Sequence, residues 1–297
     1  MGDIISDIRN RYKRADIHLR FIYVNTGVFF MTALVGILLL LFNRSSESIC
    51  RWLDLPSSVS QFCHQPWSLI TYMFMHADLI HLLFNMLWLY FFGRLFLIFF
   101  SARHLRGLYF LGGICGGLLY ILAYNVFPYF TDFVNSSYLL GASASVLAIS
   151  IAVAVKAPEY KINFLFVGAV RLKYVASVMI VTDLLMITSG NAGGHISHLG
   201  GALGGWLFAS SLTKGHDVTS WINKAIDFCI GNRTLFYRRR KSKMKTYYGK
   251  HRQDYEYNIR KKEQSDEIDR ILDKLKQSGY DHLTTEEKKR LFDAGKK

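Results

Sequence analysis

Long apolar runs separated by short polar connections fill the first two thirds of the chain. A helix needs about 20 such residues to cross a hydrocarbon layer. Phe21–Phe42 supplies them without a charge, and Leu79–Phe100 follows with His81, Asn85 and Arg94 inside it. Gly107–Phe127, Leu139–Val155, Tyr174–Ile187 and Gly194–Thr213 complete a pattern that predicts six spanning helices, the fifth holding Asp183. Ile162–Val170 is apolar but too short to span and is expected at an interface. Phe21–Phe42 exceeds a signal-peptide core and lacks a small-residue cleavage site, so it reads as an uncleaved span.

After Thr213 the pattern changes. Arg233–Lys262 is polybasic with interleaved tyrosines and suits a membrane surface. In Ser265–Ala294, Ile268, Ile271, Leu272 and Leu275 recur at helical spacing, Gly279 suits a C-cap, and Thr284 with Glu287 forms a capping box. The expected organisation is an N-terminal segment over 1–20, a six-span domain over 21–213, a basic linker over 214–262 and a small helical hairpin over 263–297. The fold class is all-α, a polytopic membrane bundle.

Composition sharpens this. Of 297 residues, 51% are hydrophobic, yet 36 Lys+Arg stand against 22 Asp+Glu, and most of the +14 surplus lies beyond Thr213. Four prolines and four cysteines exclude a disordered chain or a disulfide scaffold. A pI near 9.6 could mean nucleic-acid binding, but no zinc-ligand spacing or RNP-like motif accompanies it, so no nucleic-acid partner is expected. The basic residues instead alternate between connections. Arg9, Arg11, Lys13, Arg14 and Arg20 precede the first span, Arg103 and Arg106 separate the second and third, and Lys156, Lys161, Arg171 and Lys173 separate the fourth and fifth. By the positive-inside rule both termini are expected in the cytoplasm.

Polar groups inside spans are costly and mark function. Counted from the predicted starts of their spans, His81 lies ~3 Å deep, Ser143 and His198 ~6 Å, and Asn85 ~9 Å. The four share one shallow layer reached from the outer face. Gly141–Ser145 opens the fourth span, and Gly200/Gly204 and Gly201/Gly205 make two small-residue pairs in the sixth. Such faces let helix backbones approach closely and would bring Ser143 beside His198, a nucleophile beside a general base. Asn85 and His81, four apart on one face, could donate to a developing oxyanion.

Trp67–Gly93 (WSLITYMFMHADLIHLLFNMLWLYFFG), Gly141–Ser145 (GASAS) and His198–Gly205 (HLGGALGG) resemble the signature blocks of the rhomboid intramembrane serine proteases, in that family's order. The resemblance covers about Asp16 to Leu212, and the tail resembles a domain appended to some bacterial rhomboids. It implies peptide-bond hydrolysis in the membrane by a Ser143–His198 dyad. Asn85, His81 and the Ser143 backbone N–H would stabilise the oxyanion, and neither cofactor nor metal would be needed. Single-span membrane proteins would be the substrates, and a bacterial cytoplasmic membrane the location. The alternative is an inactive rhomboid-like adaptor that binds transmembrane clients. The oligomeric state is not read from the sequence.

Three positions depart from the pattern: Ser68 where Arg commonly follows Trp67, Ala144 where Gly commonly follows the nucleophile, and Leu147 where many members carry a Tyr that stacks on the catalytic His. Orientation of His198 must then come from other packing. Asp183 is open to two readings, a third triad member orienting His198 or, as preferred here, a hydrogen-bonded packing residue. Ser145 and Ser197 read as packing residues, and Arg94 as snorkelling to the cytoplasmic interface. His195 and His198, with His76 and His81, could form a four-histidine metal or transporter site; with no HExxH motif or acidic partner, none is expected. Cys50 and Cys63 share the first outer loop and are candidates for a disulfide, while Cys115 and Cys229 read as isolated thiols. The loop's Trp52, Leu53, Phe62, Trp67 and Leu69 suit a structure lying in the membrane surface.

Overall fold

The computed structural model describes residues 14–45, 47–164 and 168–229, isolated positions before residue 14, and parts of 267–294. It divides into two units, Met1–Arg233 and Thr234–Lys297. The first opens with helix α1 (Ile17–Leu41). A loop follows that holds α2 (Glu47–Leu53), strand β1 (Leu55–Pro56), α3 (Val59–His64) and α4 (Ser68–Thr71). Then come α5 (Leu79–Phe99), α6 (Ala102–Val126), β2 (Tyr138–Leu139), α7 (Ser143–Lys156), β3 (Lys161–Phe164), β4 (Gly168–Arg171), α8 (Leu172–Leu185), α9 (Ala192–Thr213) and α10 (Ser220–Cys229).

Helix starts follow local chemistry. The Asp78 carboxylate accepts from the His81 N–H at 2.8 Å to cap α5, and Ser101 Oγ accepts from the His104 N–H at 3.2 Å to cap α6. Helices α1, α5 and α6 are long and apolar enough to cross a membrane. The 14 residues of α7 extend only ~21 Å, yet nearly all of them are buried. Helix α8 buries only Leu172 and Asp183, and α1 only His18, Phe21 and Asn25. Their outward faces carry Phe30, Met31, Leu34, Val178, Val181 and Leu185, an apolar surface matched to lipid. The chain is an integral membrane protein.

Glycines set the centre of the bundle. A Cβ on Gly116 would meet Ala144 Cβ at 2.6 Å and Ser197 Oγ at 2.7 Å, and one on Gly200 would meet the Cys115 carbonyl oxygen at 2.5 Å. Cβ atoms on Gly201 and Gly205 would fall on the carbonyl oxygens of Ala144 and Ala148, well inside contact distance. Helix α9 therefore lies backbone to backbone against both α6 and α7. Both small-residue pairs of the sixth apolar run serve this packing. Tyr109 pins α1 to the same centre by stacking on Phe21 at 4.0 Å, accepting from Asn25 Nδ2 at 3.1 Å and donating to the Met73 carbonyl at 3.1 Å.

The helices depart from the sequence expectation in four places. The fourth begins at Ser143 rather than Leu139, because Tyr138–Leu139 pairs antiparallel with Leu55–Pro56. The apolar piece at Ile162–Val170 contributes to the β3–β4 ladder, in which Ile162 opposes Val170. Among the described residues no disulfide joins Cys50 to Cys63. The outer loop is held instead by a Trp52–Trp67 stack at 5.3 Å, Trp67 Nε1 donating to the Trp52 carbonyl at 2.9 Å, and Thr71 Oγ1 donating to the Leu53 carbonyl at 2.6 Å. Finally, the start of the expected linker forms α10. Arg106 donates to Asn223 Oδ1 at 2.8 Å and to the buried Asp227 at 2.7 Å, and Gly107 leaves room for Thr219. The rest of that linker, 230–262, lies outside the described residues.

In the second unit, residues 269–276 are helical and α11 spans Thr285–Ala294. Gly279, at φ +78°, donates its N–H to the Leu275 carbonyl at 3.0 Å. The Thr284 N–H donates to Glu287 Oε2 at 2.7 Å, and the Glu287 N–H donates to Thr284 Oγ1 at 3.3 Å. These are a left-handed C-cap and a capping box. Ile271 and Leu283 are buried, and Ile268 lies outside the described residues.

Replacing Gly201 with Ala is expected to destabilise the bundle by about 1–3 kcal/mol through overpacking. Gly27→Ala on α1, with nothing within 4 Å of its Cβ, is expected to be neutral or slightly stabilising. Thermal unfolding of both variants in one detergent checks the contrast; equal melting shifts would contradict the packing.

Candidate active site

A cavity of about 630 Å³ opens among α5, α6, β2, α7 and the start of α9, and Ser143, His198, His81 and Asn85 all line it. Three helices separated in sequence thus bring together the four side chains expected to act together. A second, apolar groove between α5 and α8 reaches the same Ser143 and His198, with Trp88, Val178 and Met179 along its walls.

Ser143 is the first residue of α7. The Val146 N–H is the first to find a helical partner, donating to the Ala142 carbonyl at 3.0 Å. The N–H groups just before it are the unpaired donors of a helix start, where the backbone dipole favours developing negative charge. Gly141 makes the approach possible. Its φ is +121°, a conformation that L side chains rarely adopt, and a Cβ there would lie 3.0 Å from His81 Cε1 and Nε2 and 3.7 Å from Ser143 Oγ. The His81 ring edge and the Ser143 hydroxyl therefore flank one point of backbone.

Local bonds orient the flanking donors. The Ala77 N–H donates to His81 Nδ1 at 3.4 Å, so Nδ1 is the acceptor and Nε2, facing Gly141, carries the ring proton. Asn85 Nδ2 donates one hydrogen to the His81 carbonyl at 3.0 Å, leaving its second amide hydrogen for the cavity. His81 and Asn85 lie one helical turn apart and present two N–H donors to the space beside Ser143.

His198 is held from behind. His195 Nδ1 and His198 Nδ1 both lie 2.8 Å from the same oxygen, Oδ1 of Asp183. Asp183 is 6% exposed. Helix α8 thus delivers a carboxylate to both rings, which corrects the sequence reading that found no acid beside His195 and His198; a buried, hydrogen-bonded Asp183 fits both of the readings left open for it. Leu147 is buried and offers no ring to stack on His198, so this carboxylate supplies the orientation left open by that position. No Ser143–His198 hydrogen bond is formed among the described residues, and such bonds are often long before a substrate is bound.

The remaining sequence candidates separate from this group. Ser145 and Ser197 are buried at 1% exposure each, between helices rather than on the cavity wall. The His76 ring lies tilted against His81, with centroids 5.1 Å apart, and is not among the residues gathered at Asp183, so the four histidines do not form one ligand set. Asp183, His195 and His198 do hold three possible ligand atoms within 4.8 Å. Around tetrahedral zinc, ligand atoms stand about 3.3 Å apart. Contacts of 2.8 Å to one shared oxygen are hydrogen bonds. Residues missed from the sequence include Tyr120 and Tyr124, which line the cavity from α6; Gly141 was read as part of a small-residue segment, and its positive φ adds a backbone role to that reading.

The Rhomboid domain family matches residues 63–215, and the chain belongs to the rhomboid family. Residues 253–297 match a family of unknown function, DUF6576. The chain is also similar to "RHOMBOID-like protein 12, mitochondrial" of Arabidopsis thaliana, at 27% identity over 209 residues. That stretch takes in 67% of this chain and 59% of the plant protein, so the chain spans under two thirds of the relative's length.

Strand β2, on the cavity wall, is braced by β1, which Asp54 precedes. Asp54 is 5% exposed and its Oδ1 has no hydrogen-bond partner among the described residues. Burial pushes its carboxyl up from the ordinary 3.8 to about 7. The unfolded chain releases this proton near pH 4 and the folded chain only near pH 7, so stability falls as pH rises through that window. A rise of that size corresponds to about 4 kcal/mol at most. Asp54→Asn is expected to raise the melting temperature at pH 8 and leave it unchanged at pH 4; an equal effect at both would contradict a neutral buried Asp54.

Proposed function

We propose that this rhomboid-family protein is an intramembrane serine endopeptidase. The observation that carries the reading is one cavity holding Ser143 at a helix start, His198 with its Nδ1 committed to a carboxylate, and the N–H donors of His81 and Asn85. In this reading His198 Nε2 takes the Ser143 proton as Oγ attacks the scissile carbonyl. The oxyanion forms between the Ser143 N–H, His81 Nε2–H and Asn85 Nδ2–H. His198 then returns the proton to the leaving amine, and water drawn from the cavity hydrolyses the acyl-enzyme.

The bilayer shapes the rest. All six long helices, α1 and α5 to α9, cross the membrane, with both termini on the cytoplasmic side of a bacterial cytoplasmic membrane. Non-helical backbone at membrane depth is tolerated where it lines water, and the Gly141–Ala142 segment leading to α7 borders the cavity. The apolar groove between α5 and α8 suits a transmembrane segment arriving sideways from lipid. Single-span proteins are therefore the substrate class. Small or helix-breaking residues near the cleavage site lower the cost of freeing the scissile carbonyl from its helical bond. No cofactor or nucleic acid takes part.

The test is cleavage of a single-span reporter in liposomes by wild type, Ser143→Ala, His198→Ala and Asn85→Ala, followed by gel and mass spectrometry. Wild type is expected to cut. The first two variants should be inactive, and Asn85→Ala should lose about 10²–10³-fold in rate. Equal cleavage by wild type and Ser143→Ala would contradict the reading, and no cleavage by any would favour a client-binding adaptor.

A further inference from the structure

Among the described residues, Asp183 is the only buried polar one of α8, a helix that otherwise buries Leu172 and turns apolar side chains outward. An ionisable group in such a helix is costly unless it has a role. Its Oδ1 receives Nδ1 of both His195 and His198 at 2.8 Å. These two histidines lie nearly one turn apart on α9, so one carboxylate oxygen bridges two helices through two rings.

The consequence for His198 is specific. A neutral imidazole carries one N–H. Committing the Nδ1 proton to Asp183 leaves Nε2 with a lone pair and rotates that edge away from α8, toward the cavity that His198 shares with Ser143. When Nε2 takes a proton, the same carboxylate faces the imidazolium. His195 adds a second donor to the same oxygen and so limits where the carboxylate can turn. The clamp also has a mechanical side, because α8 is one wall of the apolar groove that reaches Ser143.

We propose that Asp183, steadied by His195, is the positioning residue for His198, fixing its tautomer and ring orientation and tying both to the seating of α8 against α9. The proposal rests on the protease reading and deepens it: the working unit is Ser143–His198–Asp183 with His195 as the second donor.

The experiment uses the full chain in liposomes and measures kcat and KM for reporter cleavage separately. Asp183→Asn is expected to lower kcat by roughly 10²–10⁴-fold, the effect of a mis-set tautomer. KM should stay within about twofold, because the altered group meets histidines and not substrate. His195→Ala is expected to lower kcat by about tenfold, the worth of one hydrogen bond. Wild-type kcat in Asp183→Asn, or a loss confined to KM, would overturn the proposal. A second measurement needs no active variant: ¹⁵N-histidine NMR of the wild type, with the His198 signals assigned by their disappearance in His198→Gln. It should show Nδ1 protonated and Nε2 bare. The opposite tautomer, or one zinc per chain that disappears in Asp183→Asn, would overturn the clamp. Equal cleavage by wild type and Ser143→Ala would instead count against the protease reading, and the NMR result would still decide the clamp.

Discussion

The contact between the glycine face of α9 and the backbone of α7 governs the site. Gly201 and Gly205 lie directly over the Ala144 and Ala148 carbonyls, and no side chain fits between them. Lipid tails give apolar side chains little reason to prefer one another, so helices in a bilayer gain from close backbone packing instead. Here that packing decides which side chains meet. Ser143 and His198 occupy the first residue of one helix and the second turn of the other, and only a near-contact of the two backbones makes them neighbours.

The same economy explains the polar groups. Four side chains around Ser143 are committed to local partners: Asp78 caps the start of α5, His81 accepts from the Ala77 N–H, Asn85 donates to the His81 carbonyl, and Asp183 bonds two histidines. These bonds leave a defined set of donors and one lone pair facing the cavity. Unpaired polar groups would be far more costly here than in water, so the pressure to satisfy them also preorganises the site. The short α7 belongs to the same solution. It starts only at Ser143, after the positive-φ turn at Gly141, and so presents its helix start to the cavity.

Much of this was legible in the sequence. The apolar runs located helices α1 and α5 to α9 to within a few residues, and three of these, α1, α5 and α6, are long and apolar enough to cross a membrane. The side chains gathered at the cavity were found by asking which polar groups have no business in hydrocarbon. What escaped depends on a third dimension that periodicity does not carry. The β1–β2 pairing joins residues some eighty positions apart and moved the start of α7. The amphipathic α10 was hidden in a basic stretch, because its buried face is made of Thr219, Asn223 and Asp227 rather than apolar residues alone. Asp183 was visible as an anomaly, but the two rings sharing its oxygen lie on another helix, and their convergence needed coordinates.

The most direct measurement is labelling of the intact protein in liposomes by a fluorophosphonate probe, with the modified peptide mapped by mass spectrometry. If helix packing makes Ser143 a nucleophile beside its base, the probe marks Ser143 alone and marking is lost in His198→Ala. Marking of another residue, no marking at all, or marking indifferent to His198 would contradict the account.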